Sequence, residues 1–194
     1  MTLPLRCLLA LLAVPAGWLA SRFWDSSRPF RFLPGLFFVP ALVLLALRAR
    51  GIGSFLLSTA ALWALFDAAL CDLARREIPD RALRLLLGCA LLSLLLDGSA
   101  SFLSRRLGLL VSLPLLWVSR LCRCFGTGDA LLFCACGLLL GWQKLLGTAL
   151  FSLLACSLFA AFGLFQRKLA LQSTLPFGPF AAAGTALMLL LFGL

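Results

Sequence analysis

Residues 145–165 read LLGTALFSLLACSLFAAFGLF, a stretch without a single charge. A run of that length is enough to cross a bilayer as a helix. It is one of several, and this repetition limits the chain's fold more than any other feature. Hydrophobic residues make up 63% of the chain and charged residues 12%. Ordinary soluble domains lie nearer a half and a quarter, so a soluble globule is excluded. A transmembrane β-barrel would alternate apolar and polar positions, and no such alternation is present. The expectation is an all-α, polytopic transmembrane helical bundle forming a single domain over residues 1–194. Its eight spans fall at roughly 3–20, 33–47, 52–72, 83–96, 107–121, 130–142, 145–165 and 177–194. The first twenty residues also resemble a signal peptide, with Arg6 ahead of an apolar core and Val14-Pro15-Ala16 as a cleavage site. An uncleaved first span fits the topology better.

The segments between spans are short and carry Gly, Pro and charge: SRFWDSSRPFRF, RARG, ARREIPDR, DGSASFLSRR, RCFGTG, QK and QRKLALQST. The net charge is +10. In a soluble protein that would suggest nucleic acid, but here the cations lie in these loops and no nucleic-acid motif accompanies them. They read as topology signals and contacts with anionic membrane lipid. Most of the eight cysteines lie in or near apolar runs, there is no histidine, and no pair has C-x-x-C spacing. They read as small apolar filler, and neither a metal nor a cofactor is expected. The C-x-C pairs Cys122–Cys124 and Cys134–Cys136 keep a zinc site as the lesser alternative. Trp18, Trp24, Trp63, Trp117 and Trp142 mostly fall near span ends and read as interfacial anchors.

With eight spans, parity puts the loop at 21–32, Asp72, Asp129 and the segment 175–180 on one side of the membrane. That side carries eleven Arg and Lys and the other six. The positive-inside rule makes the richer side cytoplasmic, with both termini outside. Of the seven acids, Asp25, Asp72, Glu77, Asp80 and Asp129 fall at the inner side, Asp97 at the outer, and Asp67 within the third span. Asp72 ends one span and Asp129 opens another, so folding can bring them together at the inner rim of the bundle. Two neighbouring carboxylates cannot both ionise easily and share one proton. An ionised and a protonated carboxylate side by side can activate water and protonate a peptide carbonyl. Without histidine, a His-containing triad is impossible.

Gly126 and Gly128 lie just before Asp129, with backbones free to bend sharply and admit a substrate chain. A plain helix start, with Asp129 as its N-cap, is the alternative. Asp67 lies five residues, about 140° of helix, from Asp72. It can pair with a cation, stay protonated or line a polar cavity. Glu77 and Asp80 read as solvated or capping residues, with Pro79 and Asp80 starting a span.

Taken together and in order, DLARREIPD (72–80), GTGD (126–129) and LPFGPF (175–180) resemble the type IV prepilin peptidase family, whose members are intramembrane aspartic proteases. The resemblance covers the chain from about residue 52 to the C-terminus. It implies that Asp72 and Asp129 are the catalytic pair. It further implies that Gly126, Gly128, Pro176, Phe177, Gly178 and Pro179 shape the substrate site. The implied substrates are the leader peptides of type IV prepilins or pseudopilins, cut at the cytoplasmic face of the inner membrane. The family usually carries Lys two residues after the second aspartate, and this chain has Leu131. Many members carry a zinc-binding C-x-x-C insert after the first span, linked to N-methylation. The short loop here lacks it, implying peptidase without methyltransferase activity. The presenilin and signal-peptide-peptidase group also uses G-x-G-D, but with Tyr-Asp and Pro-Ala-Leu, and this chain has no Tyr. An inactive homologue or a proton-coupled transporter of the same fold is the non-enzyme alternative, with Leu131 its best support.

Overall fold

The computed structural model describes residues 33–48, 51–96, 99–122, 126–166 and 175–193. The first expected span, the signal-peptide reading, the loop at 21–32, Asp97 and the residues 123–125 just before GTGD lie outside them. The described residues form seven α-helices and no strand: α1 (Leu33–Arg48), α2 (Ile52–Arg75), α3 (Asp80–Leu96), α4 (Ser99–Cys122), α5 (Thr127–Leu140), α6 (Trp142–Phe165) and α7 (Gly178–Phe192). Each overlaps one of the expected apolar segments, but not all of them have the length of a span. Among the described residues, three stretches are long and apolar enough to cross a membrane: Ile52–Arg75, Phe102–Leu121 and Trp142–Phe165. α5 and α7 are shorter apolar helices.

The chain divides into two compact units, one holding described residues up to Thr59 together with 189–193, the other residues 60–188. In the first, α1 buries Leu42, Leu45 and Ala46, which share one helical face. α2 opens on a reciprocal cap. The Gly51 N–H donates to Ser54 Oγ at 3.1 Å, and the Ser54 hydroxyl lies 3.0 Å from the Gly51 carbonyl.

The second unit is built around α5, which packs against α3, α4 and α6. Every residue from Leu132 to Leu140 is buried. The sequence explains why: TGDALLFCACGLLL is apolar all the way round after its first turn, so no face prefers the outside. α4 approaches α5 backbone to backbone at Gly108 and Gly137. A Cβ added to Gly137 would lie 2.6 Å from the Gly108 carbonyl oxygen, so only glycine permits this spacing. α5 passes into α6 through Gly141 alone, at φ +83°, a left-handed conformation that glycine adopts without strain. The turn therefore falls at Gly141. Gln143 and Lys144, read from sequence as the connecting loop, belong to the first turn of α6.

A larger difference concerns α4. The segment DGSASFLSRR reads as a loop, yet the helix begins at Ser99. Its two cations are accommodated within helical structure. Arg105 is buried and donates from Nη1 to Ser93 Oγ at 2.5 Å. Arg106 lies over the Phe102 ring, 4.1 Å from its centroid.

α6 buries only Leu145, Thr148 and Ser152, one narrow stripe. Phe151, Leu154, Leu158, Phe162 and Phe165 are exposed. In water such a surface would be prohibitive, and hydrocarbon is its natural solvent.

Candidate active site

α2 ends just past Asp72. Arg76 follows at φ +57°, a left-handed residue that stops the helix, with its N–H still bonded to the Asp72 carbonyl at 2.8 Å. Glu77, Ile78 and Pro79 are non-helical, and Asp80 lies in the first turn of α3. The Pro79 carbonyl accepts from Ala82 and Leu83 at 3.0 and 3.3 Å. Pro79 thus caps α3, a place where its missing N–H costs nothing.

The Asp72 side chain is buried. Its Oδ2 accepts the Gly178 N–H at 2.8 Å. Gly178 is the first residue of α7, and Phe180 and Ala181 donate to the Phe177 carbonyl at 3.0 and 3.1 Å. The Gly178 N–H is one of the donors that a helix start leaves without an internal partner, and Pro179 beside it has none to give. The α7 N-terminus is thereby aimed at one carboxylate, where the helix dipole favours negative charge. A Cβ on Gly178 would lie 2.6 Å from Asp72 Oδ2 and 2.9 Å from its Cβ, so any side chain there would displace one of the two. Arg76 adds a positive charge that acts on Asp72. Leu131 is exposed.

Asp129 lies in the first turn of α5, with Gly126 as N-cap and no side-chain capping bond. Asp129 is thus not itself the cap. Gly126 has φ −60° and ψ 131°, an extended conformation open to any residue, and neither Gly126 nor Gly128 has a positive φ. Neither glycine therefore uses a left-handed conformation, and space is a reason for glycine at both. A Cβ on Gly126 would come within 3.0 Å of Asp129 Oδ2, and one on Gly128 within 3.3 Å of Ile78 Cβ.

Two contacts tie the three motif segments together. Gly128 is packed beside Ile78, in the segment just after Asp72. Phe133, one helical turn beyond Asp129, stacks on Phe177 beside Gly178, with ring centroids 5.9 Å apart. Asp72 and Asp129 are close enough for the charge of Asp72 to act on Asp129. Asp129 Oδ1 is buried and has no hydrogen-bond partner among the described residues. An orphan buried carboxylate oxygen requires a reason, and a site for reactant or water is the usual one.

Sequence reasoning left the partner of Asp67 open. It is Arg81, whose Nε donates to Oδ2 at 2.8 Å and Nη2 to Oδ1 at 2.9 Å. Cys134 and Cys136 are buried in α5, and Cys136 Sγ lies 3.4 Å from Thr185 Oγ1. Ile78 and Phe133 carried no sequence signal beyond their apolar character. Their roles arise only from the convergence of α2, α5 and α7.

Long apolar helices define an integral membrane protein, with Asp72 and Asp129 in the region where the three motif segments meet. The chain belongs to the type IV leader peptidase family, whose model matches residues 59–164. It is accordingly a peptidase. The matched stretch includes Asp67, Asp72 and Asp129 and stops short of LPFGPF. No curated protein and no solved structure matches the chain significantly.

Proposed function

We propose that the protein is an intramembrane aspartic endopeptidase with Asp72 and Asp129 as its catalytic pair. The observation that carries this reading is the buried, unpartnered Oδ1 of Asp129 beside Asp72. Two adjacent carboxylates hold one proton between them. The Gly178 N–H and the α7 N-terminus favour the charge on Asp72, which therefore acts as base and takes a proton from water. Asp129 carries the shared proton and donates it to the scissile carbonyl oxygen as the water attacks. When the tetrahedral intermediate collapses, the C–N bond breaks, the amine leaves with the proton returned by Asp72, and a hydroxyl of the intermediate gives its proton back to Asp129.

The substrates are leader peptides of type IV prepilins or pseudopilins, cut at the cytoplasmic face of the inner membrane. Gly126, Gly128, Pro176, Phe177, Gly178 and Pro179 shape the groove that receives them. The enzyme is a single multi-pass domain of eight spans and has no methyltransferase activity. Incubating membranes containing the protein with a leader–pilin fusion tests this reading. One cut at the leader boundary supports it, and an intact fusion with a well-expressed enzyme contradicts it.

A further inference from the structure

Asp67 belongs to the same helix as Asp72 but serves neither water nor substrate in the mechanism above. It is buried about two turns before the C-terminal end of an apolar helix, a costly place for a carboxylate. Both of its oxygens are engaged by one guanidinium, Arg81 Nε on Oδ2 at 2.8 Å and Nη2 on Oδ1 at 2.9 Å. Only arginine offers this planar fork. Cys71 Sγ flanks the pair, 3.8 Å from Asp67 Oδ1 and 3.9 Å from Arg81 Nη2.

The pair is placed where it has leverage on the site. Asp67 and Asp72 point about 140° apart around α2, one toward Arg81 in the first turn of α3, the other toward Gly178. With both sides of the helix held, α2 cannot rotate about its axis without breaking one of them. The same ion pair closes the chain between α2 and α3, and that closed stretch contains Ile78, the residue packed against Gly128 next to Asp129. We propose that the Asp67–Arg81 pair is a positioning device that fixes the rotation of α2 and the path of residues 76–79, and so sets the separation of Asp72 from Asp129. The inference rests on the paired-aspartate reading for its functional meaning, but its geometry can be tested without activity.

The geometric test uses the full-length protein with its native cysteines replaced and with Asp72→Cys and Asp129→Cys introduced. A short bifunctional thiol reagent should cross-link the two positions in membranes. The yield should fall by at least half on adding Arg81→Lys, which keeps the charge and loses the fork, and further with Asp67→Asn/Arg81→Ala. The double variant leaves no unpaired charge in the helix, so it should accumulate better than Arg81→Ala alone. In the otherwise native enzyme, the double variant should lower kcat by about tenfold with KM within about twofold, the signature of misplaced reacting groups. It should also change the pH profile of cleavage, with Arg81→Lys intermediate. A merely structural pair would lower the amount of folded protein and leave cross-linking, kcat and pH profile of the surviving fraction unchanged; that result overturns the proposal. So does failure of the two cysteines to cross-link in the parent protein. An enzyme that cross-links as described but cleaves no leader fusion would contradict the proposed function and leave the positioning role standing.

Discussion

Gly178 is the residue whose substitution separates the packing account from a mere motif. Its N–H is needed by Asp72, and its missing Cβ is needed for that N–H to approach. Gly178→Ala should therefore slow leader cleavage roughly a hundredfold, the scale of a catalytic group displaced by about an ångström. Gly128→Ala meets a side-chain carbon at 3.3 Å, which a small movement of Ile78 relieves, so its loss should be well under that of Gly178→Ala. Initial rates on a leader–pilin fusion, normalised to enzyme in the membrane, give the ranking. The candidate site residues stood out because chemistry restricts residue type: seven acids and one Pro-Phe-Gly-Pro turn are few in so apolar a chain. The partner of Asp67 was not legible. The choice among cations depends on how tightly the chain turns at Arg76, a left-handed arginine where glycine is the usual signal. The close approach of the GTGD glycines to Asp129 Oδ2 and Ile78 was not legible, because it depends on how α5 meets the segment after α2.

Among the elements, α5 anchors the candidate site because it is buried on every side from Leu132 onward and carries Asp129 three residues past its cap. Its contact with α4 through Gly108 and Gly137 leaves no room for a methyl group. Gly137→Val should lower stability by about 1–3 kcal/mol or force the helices apart, read as a fall in the melting temperature of the detergent-solubilised protein. Helix positions were legible from apolar run length alone, and the described helices overlap the expected segments. Their ends were less so. Arg105 and Arg106 marked a loop in the sequence because isolated cations are expensive in a membrane helix. Ser93 and the Phe102 ring supply partners from α3 and from the preceding turn of α4, and no local pattern announces the first of these. Likewise Gly141 ends α5 in a single residue, where Gln143 and Lys144 offered the louder polar signal.

For the whole molecule, the outward apolar surfaces of α4 and α6 make lipid the solvent. In the proposed mechanism the chemistry lies at the end of the helices where Asp72 and Gly178 meet and α5 begins with Asp129. A shared proton gives that chemistry a definite pH signature. In acid both carboxylates are protonated and the base is lost; in alkali both are ionised and the acid is lost. Cleavage should follow a bell-shaped profile. Asp72→Asn and Asp129→Asn should each remove the reaction rather than shift the profile, because neither partner alone can supply both roles. Leader cleavage by these two single variants, at matched membrane levels beside the unaltered enzyme, decides whether Asp72 and Asp129 work as a pair. Neither variant should give product; a normal rate from either one would rule the pair out.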